Sequence, residues 1–256
     1  MKFIILGCGS SMGVPRPDGF FGNCNPRNKK NYRSRCSALI KTKSENVLID
    51  TSPDLRQQLI NNKINQIDKV LYSHMHADQT HGINDLRVFY IKKKKTIPVY
   101  ADTATRKYLL KSFKYCFVNN NKEYPATLKL NNIKKNIILK NGSNRSIIQT
   151  IKVQHGKVDC ICYIIDKKLA YISDVSNIRN KDLKYFRNLK YLIIDCLWFR
   201  YHPSHLNLEN SLKLIEKLKP KKAILTNLHS DLDYDYLKNY LPKNISPAYD
   251  GLTIKL

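Results

Sequence analysis

The chain predicts an α/β fold in which two stacked β-sheets are flanked by helices. Short runs rich in β-branched and aromatic residues recur along the 256 residues and outnumber the helical patterns. These runs come in blocks in each half of the chain, with helices between the blocks, which disfavours a doubly wound parallel sheet. Neither a repeat of fixed period nor a domain boundary is visible, so we expect a single domain over residues 1–256. A polar, linker-like patch of low complexity lies at residues 119–123.

Each element is predicted from its own pattern. Apolar runs of strand length lie at residues 2–6, 37–41, 47–50, 70–72, 97–100, 147–153, 160–165, 169–172, 191–194, 223–226 and 252–256. Helical patterns lie at residues 53–61, 104–115, 208–218 and 234–241. The helix over 208–218 has a clear period of 3.6 residues, with Asn207 placed to cap its first turn and Pro220 after its end.

The net charge of +25 is the unusual feature of the composition, since 42% hydrophobic and 25% charged residues are ordinary for a globular protein. The lysines are spread along the chain rather than gathered in a basic arm. The charge therefore fits either compositional drift or the binding of a polyanion, which leaves a nucleic-acid partner open.

The number and spacing of the cysteines, together with the hydropathy of the chain, indicate the cellular compartment. Seven cysteines, an odd number without regular spacing, are typical of a reducing environment. No stretch approaches the ~18 to 20 apolar residues that span a bilayer, so no membrane partner is expected. We therefore expect a cytoplasmic protein, and a homodimer is left open.

Histidines cluster directly after one predicted strand. Residues 73–81 read SHMHADQTH and contain three of the chain's seven histidines. The imidazoles of His74 and His76 and the carboxylate of Asp78 can converge on one cation if the segment is a loop rather than a helix. Scarce histidines gathered at a strand end predict a metal site.

Further candidate ligands follow other predicted strands. His155 comes after the strand over 147–153, Asp174 after the strand over 169–172 and His229 after the strand over 223–226. Polar residues at strand ends are typical of sites built on a rigid scaffold. In chain order the candidate metal ligands are His74, His76, Asp78, His155, Asp174 and His229.

This order of ligands resembles the metallo-β-lactamase fold superfamily, in which H-x-H-x-D is followed by a histidine, an aspartate and a late histidine. The resemblance extends over essentially the whole chain. The segments GCGSSMGVP (7–15), RCS (35–37), LIDT (48–51), HGINDLR (81–87) and AYDG (248–251) are similar to a narrower branch. That branch is the phosphoribosyl 1,2-cyclic phosphate phosphodiesterase group, which is related to ribonuclease Z. The resemblance implies a four-layer αββα sandwich of the metallo-β-lactamase type.

The resemblance also implies roles for the metal ligands. His74, His76 and His155 would bind a first ion, Zn²⁺. Asp174 would bridge two metals. Asp78 would bind the second metal and orient the nucleophilic hydroxide.

Other site residues are implied outside the metal ligands. His205 matches the catalytic histidine of the branch, and it would donate a proton to the leaving oxygen or hold a phosphate oxygen. Arg87 and Arg35 are candidate anion contacts. Some relatives hold a structural zinc with an N-terminal cysteine cluster, but the insert at 17–32 retains only Cys24.

Two positions depart from the family pattern, and both belong to the second metal. The usual histidine after Asp78 is replaced by Gln79, and the last ligand is replaced by Asn227. Either the second site is lost, or His81 or His229 moves in, or the site persists with oxygen ligands. Oxygen-rich coordination favours Mn²⁺ or Mg²⁺ over Zn²⁺. We expect an altered but occupied second site that holds Mn²⁺ or Zn²⁺.

These residues predict a metal-dependent phosphodiesterase. It would hydrolyse a small cyclic phosphate or a nucleotide-type phosphodiester through a metal-bound hydroxide. The alternatives are a ribonuclease Z-like RNA-processing nuclease and a nucleotide- or RNA-binding module with a decayed metal site.

Overall fold

The computed structural model describes residues 1–119 and 125–256, which form two seven-stranded β-sheets. Apart from Asn119, the polar patch predicted at 119–123 lies outside the described residues. The strands are β1 (Lys2–Gly7), β2 (Ser37–Lys41), β3 (Asn46–Ile49), β4 (Lys69–Leu71), β5 (Ile97–Ala101), β6 (Leu128–Asn132), β7 (Asn136–Asn141), β8 (Asn144–His155), β9 (Val158–Ile165), β10 (Leu169–Ile172), β11 (Tyr191–Asp195), β12 (Lys222–Thr226), β13 (Ile245–Pro247) and β14 (Thr253–Lys255).

Strand direction places several strand ends at a common edge of each sheet. The first sheet has the order β14-β1-β2-β3-β4-β5-β6 and is parallel from β3 to β6. The second has the order β13-β12-β11-β10-β9-β8-β7 and is parallel from β10 to β13. Because β8 and β10 each pair antiparallel with β9, they run in the same direction. The carboxyl ends of β8, β10, β11 and β12 therefore meet at one edge.

Helices cover the outer faces of both sheets. The α-helices are α1 (Leu55–Asn61), α2 (Ala77–Thr80), α3 (Arg87–Lys93), α4 (Thr103–Ser112), α5 (Lys114–Phe117), α6 (Leu208–Leu218) and α7 (Tyr234–Tyr240). Short 3₁₀ helices lie at Lys29–Asn31, Ile83–Leu86 and Asn180–Tyr185. Within the described ranges, no helix is both long enough and apolar enough to cross a membrane.

The apolar core has three layers, one between the sheets and one beneath each set of helices. In β1, Phe3 and Ile5 point between the sheets, and the ring of Phe3 lies 5.4 Å from that of Tyr171 on β10. The alternate residues Ile4 and Leu6 pack against the first set of helices. Burial on both faces explains why these strands are apolar throughout rather than alternating. The observed order of layers confirms the predicted αββα sandwich.

The elements that sequence patterns missed lie mostly at the edges of the sheets. Strands β6, β7 and β13 were not predicted, and each is the terminal strand of its sheet. Edge strands are covered on fewer sides, so their apolar signal is weaker. The short helices α2 and α3 were also missed, and the helix predicted over 104–115 is broken at Phe113. The cap of α6 is as predicted, since the side chain of Asn207 accepts from the backbone N–H of Asn210.

Candidate metal centre

The loop between β4 and α2 presents two imidazoles side by side. His76 has an extended backbone, with φ −63° and ψ 154°, directly before α2 begins at Ala77. His74 and His76 therefore lie on the same side of an extended segment, as predicted for a loop. Ser73 Oγ lies 3.0 Å from Nδ1 of His74 and can accept a hydrogen bond from its N–H, which leaves Nε2 free for a ligand.

A third imidazole arrives from the other sheet. His155 ends β8, and its Nδ1–H donates to the carbonyl of Ser204 at 2.7 Å, which fixes the tautomer and leaves Nε2 unprotonated. The turn that follows requires glycine, because Gly156 has φ +59° and a Cβ there would lie 2.4 Å from Ser204 Oγ. The close approach of the two loops orients the ring of His155.

The three imidazoles converge on one point. Nδ1 of His76 lies 3.0 Å from Nε2 of His74 and 3.2 Å from Nε2 of His155. A tetrahedral zinc ion with Zn–N bonds of 2.0–2.1 Å would set its nitrogens about 3.3 Å apart. The observed separations are therefore close to those that one bound ion requires. The three residues fit a metal without rearrangement of the chain.

Burial keeps the first two imidazoles neutral. Burial lowers the pKa of His74 to about 3, and burial together with the neighbouring His155 lowers the pKa of His76. Neutral imidazole is the form that binds metals, because its free nitrogen carries a lone pair. The side chain of His76 is exposed, so the point of convergence is open to solvent.

Two carboxylates stand beside the imidazoles. Ligand atoms of His155, Asp174 and His205 all lie within 4.8 Å of one another, as do those of His74, Cys160 and Asp174. Burial would raise the pKa of Asp174, but the surrounding histidines outweigh it and the pKa is lowered. The pKa of Asp78 is raised to about 6 by burial and by the charge of Asp174.

Carboxamides, rather than imidazoles, approach these carboxylates from the other side. Nε2 of Gln79 lies 3.2 Å from Asp78 Oδ2 and 3.4 Å from Asp174 Oδ2. Nδ2 of Asn227 lies 3.5 Å from Asp174 Oδ1 and 3.1 Å from Asp195 Oδ1. Asn227 follows β12 with φ +61°, a left-handed conformation that asparagine adopts more readily than most residues.

His205 is paired with a buried carboxylate. Its Nδ1 lies 2.7 Å from Asp195 Oδ2, and its ring centroid lies 4.5 Å from that of His155. Burial disfavours the charged imidazole, but Asp195, Asp174 and Asp78 outweigh it and raise the pKa of His205 to about 9. His205 therefore carries a proton at neutral pH, and its Nε2 is free to donate one.

His229 and His81, which the sequence allowed as ligands of the second metal, lie outside the cluster. The Nδ1 of His229 accepts from the backbone N–H of Asp231, and its ring packs 4.8 Å from Trp198. Nε2 of His81 lies 2.9 Å from the hydroxyl of Tyr108. Neither belongs to a group of converging ligand atoms among the described residues. The structure places His229 outside the cluster, with its ring against Trp198, so the role of His229 as a metal ligand stays a prediction that this geometry does not support.

The two candidate arginines are not brought to the cluster either. Arg35 makes a bidentate pair with Asp54, at 3.0 and 3.1 Å. Arg87, on α3, lines a separate cavity of about 570 Å³ together with Tyr90 and Tyr115. His202 lies beside His205, with ring centroids 5.1 Å apart.

Sequence reasoning missed two buried groups at the site. Asp195 is the last residue of an apolar strand, and that position was the available signal, since Asp174 was found in the same way. Cys160 shares one face of β9 with Cys162, and its position beside His74 and Asp174 was not predicted. Cys24 belongs to no such group within residues 1–119 and 125–256.

Solved structures share this architecture over the whole chain. A structure described as a new diphosphatase from the PhnP family has a TM-score of 0.87 and 29% identity, and the match covers 100% of this chain and 97% of that one. Zn²⁺-bound PqqB from Methylobacterium extorquens has a TM-score of 0.75 and 16% identity, with 100% of both chains covered. The short form of human tRNase Z has a TM-score of 0.69 and 13% identity, covering 100% and 99%. The last two show likeness of fold alone.

Sequence comparison gives one curated relative and one family. An octanoyltransferase of Porphyromonas gingivalis is 31% identical over 258 residues, which cover 98% of this chain and 51% of that protein. The chain thus spans about half the length of this relative. The beta-lactamase superfamily domain matches residues 45–227, which is well over half of the chain. The chain therefore belongs to the beta-lactamase superfamily.

Proposed function

We propose that the protein is a metal-dependent phosphodiesterase acting on a small cyclic phosphate or a nucleotide-type phosphodiester. One observation carries the proposal: three imidazole nitrogens converge beside a protonated histidine that is held by a buried carboxylate. The first group suits a metal, and the second suits the transfer of a proton to a leaving oxygen. Their rings adjoin, with 4.5 Å between the centroids of His155 and His205.

In this proposal the metal is a single zinc ion at His74, His76 and His155. When bound, it supplies Lewis acidity, which polarises a phosphoryl oxygen and lowers the pKa of water. The chain's own groups do the rest. Asp78, beside the imidazoles, accepts a proton from the attacking water, and the exposed side of His76 gives the substrate its entry.

His205 completes the reaction by acting on the leaving group. Its Nδ1–H is fixed by Asp195, so Nε2 is the atom that donates to the ester oxygen as the P–O bond breaks. Asp195 is fully buried and also accepts from the backbone N–H of Val175 at 2.9 Å. This carboxylate therefore keeps the imidazole of His205 in one orientation and one tautomer.

Charge and likeness both support a phosphate substrate. The net charge of +25 favours the approach of anions. The structure with 29% identity and full coverage is described as a diphosphatase, so its substrate also contains phosphorus–oxygen bonds. We extend that substrate class, but not a particular substrate, to this chain.

The name of the curated relative suggests a different reaction, acyl transfer. We do not extend it, because the name belongs to a protein about twice as long. In addition, all seven cysteines of this chain are buried, and burial raises the pKa of each thiol above its ordinary value. A thioester intermediate needs an accessible thiolate, which these residues do not offer.

An RNA-processing nuclease is the second candidate, and the +25 charge favours it. The two candidates differ in what binds outside the metal centre. The affinity of a nuclease for RNA would fall steeply as the salt concentration rises, because the protein neutralises many phosphates. The affinity for a small phosphodiester would fall less, because the protein contacts few phosphates.

The test is a substrate screen with the metal-loaded protein. We would assay a ribosyl cyclic phosphate, a dinucleotide, bis(p-nitrophenyl) phosphate and a precursor tRNA, each with Zn²⁺ and with Mn²⁺. We expect hydrolysis of at least one small diester, abolished in His76→Ala. Cleavage of the tRNA alone would favour the nuclease. If no phosphodiester is hydrolysed by protein that retains its metal, the proposed function is wrong.

A further inference from the structure

We propose that this chain binds one metal ion rather than two, because the carboxamides of Gln79 and Asn227 fill the place where a second ion would bind. The inference rests on the proposed function, since it concerns the metal content of the same centre. It replaces the sequence-based expectation of an occupied second site holding Mn²⁺ or Zn²⁺.

The bridging carboxylate is already engaged by hydrogen-bond donors. Asp174 Oδ2 faces the amide nitrogen of Gln79 at 3.4 Å, and Asp174 Oδ1 faces that of Asn227 at 3.5 Å. An amide nitrogen carries hydrogens and has no lone pair to offer a cation. A metal and these two NH₂ groups would therefore compete for the same oxygens of Asp174.

The orientation of Asn227 is fixed by a group that no metal contacts. Its Nδ2 donates to Asp195 Oδ1 at 3.1 Å, while Asp195 Oδ2 lies 2.7 Å from Nδ1 of His205. Asp195 is fully buried and belongs to no group of converging ligands in the described part of the chain. Turning the carboxamide over would set its oxygen against the carboxylate of Asp195 without a proton between them. The same Nδ2 also lies 3.1 Å from Nδ1 of His205, so it is the amide nitrogen of Asn227 that faces Asp174, Asp195 and His205.

Gln79 occupies the gap between the two carboxylates. Its side chain is fully buried, and its Nε2 lies 3.2 Å from Asp78 Oδ2 as well as near Asp174. Its backbone carbonyl is anchored by the N–H of Thr51 at 2.8 Å, so the residue cannot withdraw. The NH₂ group relieves the repulsion of two neighbouring carboxylates, which is the electrostatic role that a cation would otherwise have.

Too few ligands remain for a second ion. With both amides donating, Asp78 and Asp174 present the charged oxygen atoms at that position. The Oε1 of Gln79 is buried without a hydrogen-bond partner, and it belongs to a carboxamide whose nitrogen, not its oxygen, faces both carboxylates. The histidines that might compensate are occupied elsewhere, His81 beside Tyr108 and His229 against Trp198. A catalytic zinc ion typically has three protein ligands, so two carboxylates do not make a comparable site.

The experiment counts ions rather than turnover. Metal-free protein is titrated with Co²⁺ and with Zn²⁺, and bound ions are counted by native mass spectrometry and by the visible absorption of Co²⁺. Wild type is compared with Gln79→His/Asn227→His. The control is Asn136→His/Asn244→His, which adds two imidazoles at exposed positions near opposite edges of the second sheet.

We expect one ion in wild type, one in the control and two in Gln79→His/Asn227→His. Histidine is tolerated at a left-handed position better than most residues, so Asn227→His should fold. If the double variant does not fold, Asn227→Asp, which turns the donor into an acceptor, is titrated instead and should gain a second ion.

Two results would overturn the inference while leaving the proposed function intact. One is a second ion bound by wild type with affinity similar to the first. The other is a correctly folded double variant that still binds one ion. A wild type that binds no ion would overturn both proposals, because the imidazole centre itself would be absent.

Discussion

On one side of the site, three imidazoles meet at separations of 3.0 and 3.2 Å, each oriented by its own neighbours. On the other side, two carboxamides direct their NH₂ groups at Asp78 and Asp174 over 3.2 to 3.5 Å. Both sides stand at strand ends: the segment after β4 carries His74, His76 and Gln79, β8 ends at His155, and Asn227 follows β12. They differ in one atomic property, because imidazole nitrogen offers a lone pair where amide nitrogen offers hydrogens.

This difference shows that the location of a site and the ligand bound there are decided by different features of the chain. Strand direction brings the polar side chains at the ends of β8, β10, β11 and β12 to one edge, whatever their chemistry. The atom that each one presents then decides whether a cation or a hydrogen bond holds the carboxylates together. In our proposal, the scaffold of the superfamily is retained and a network of hydrogen bonds fills the position of one metal.

The largest effect is expected on the imidazole side. His76→Ala removes the nitrogen that faces both other imidazoles, so affinity for Zn²⁺ should fall by more than the ~10–100-fold that loss of an outer contact produces. Isothermal titration with Zn²⁺ measures it. His81→Ala, five residues further along and outside the cluster, is the matched control and should bind as wild type does. Equal affinity in all three proteins would show that the imidazoles are not the ligands.

The next effect separates metal binding from proton transfer. His205→Ala should retain the bound ion but lose turnover by ~10²-fold or more, since general acid catalysis contributes on that scale. The neighbouring His202→Ala serves as the control and should keep most of its activity. Turnover of His205→Ala at the wild-type rate would remove this residue from the reaction.

The pairing of His205 with Asp195 also predicts a dependence on pH. Because the pKa of His205 is raised to about 9, wild-type turnover should fall above that pH, and the fall should be absent in His205→Gln. The raised pKa also stabilises the folded state, fully below pH 6.5 and progressively less as pH rises through about 9. The difference is about 3 kcal/mol for a shift from 6.5 to about 9. Urea unfolding of wild type and His205→Gln at pH 6 and pH 10 measures it, and equal losses of stability would contradict the assignment.

The smallest effect is expected on the amide side. If Gln79 and Asn227 exclude a second ion, adding Mn²⁺ to the zinc-loaded protein should leave turnover unchanged. The same addition to Gln79→His/Asn227→His should change it, because a new site is then present. Activation of the wild type by Mn²⁺ would show that oxygen ligands do hold a second, harder ion.

Local sequence patterns were enough to predict the scaffold, and they identified the imidazoles as candidate ligands. Apolar runs predicted the buried strands, and the H-x-H-x-D order with its later histidine and aspartate predicted which strand ends carry ligands. The strand predictions are confirmed because they depend on local periodicity. The ligand assignment stays a prediction, and it rests on the tendency of polar residues at strand ends to form sites on a rigid scaffold. The edge strands β6, β7 and β13 were not predicted, because partial burial weakens the periodic pattern of apolar residues in them.

How the amide side is used depends on tertiary contacts. Spacing alone allowed His229 or His81 to replace the lost ligands, but packing against Trp198 and contact with Tyr108 direct them elsewhere. Residue spacing also gave no sign that Asn227 donates to Asp195, a residue 32 positions away on another strand. The direction in which a carboxamide points depends on its backbone angles and on buried partners from distant segments, and no local pattern of residues encodes either.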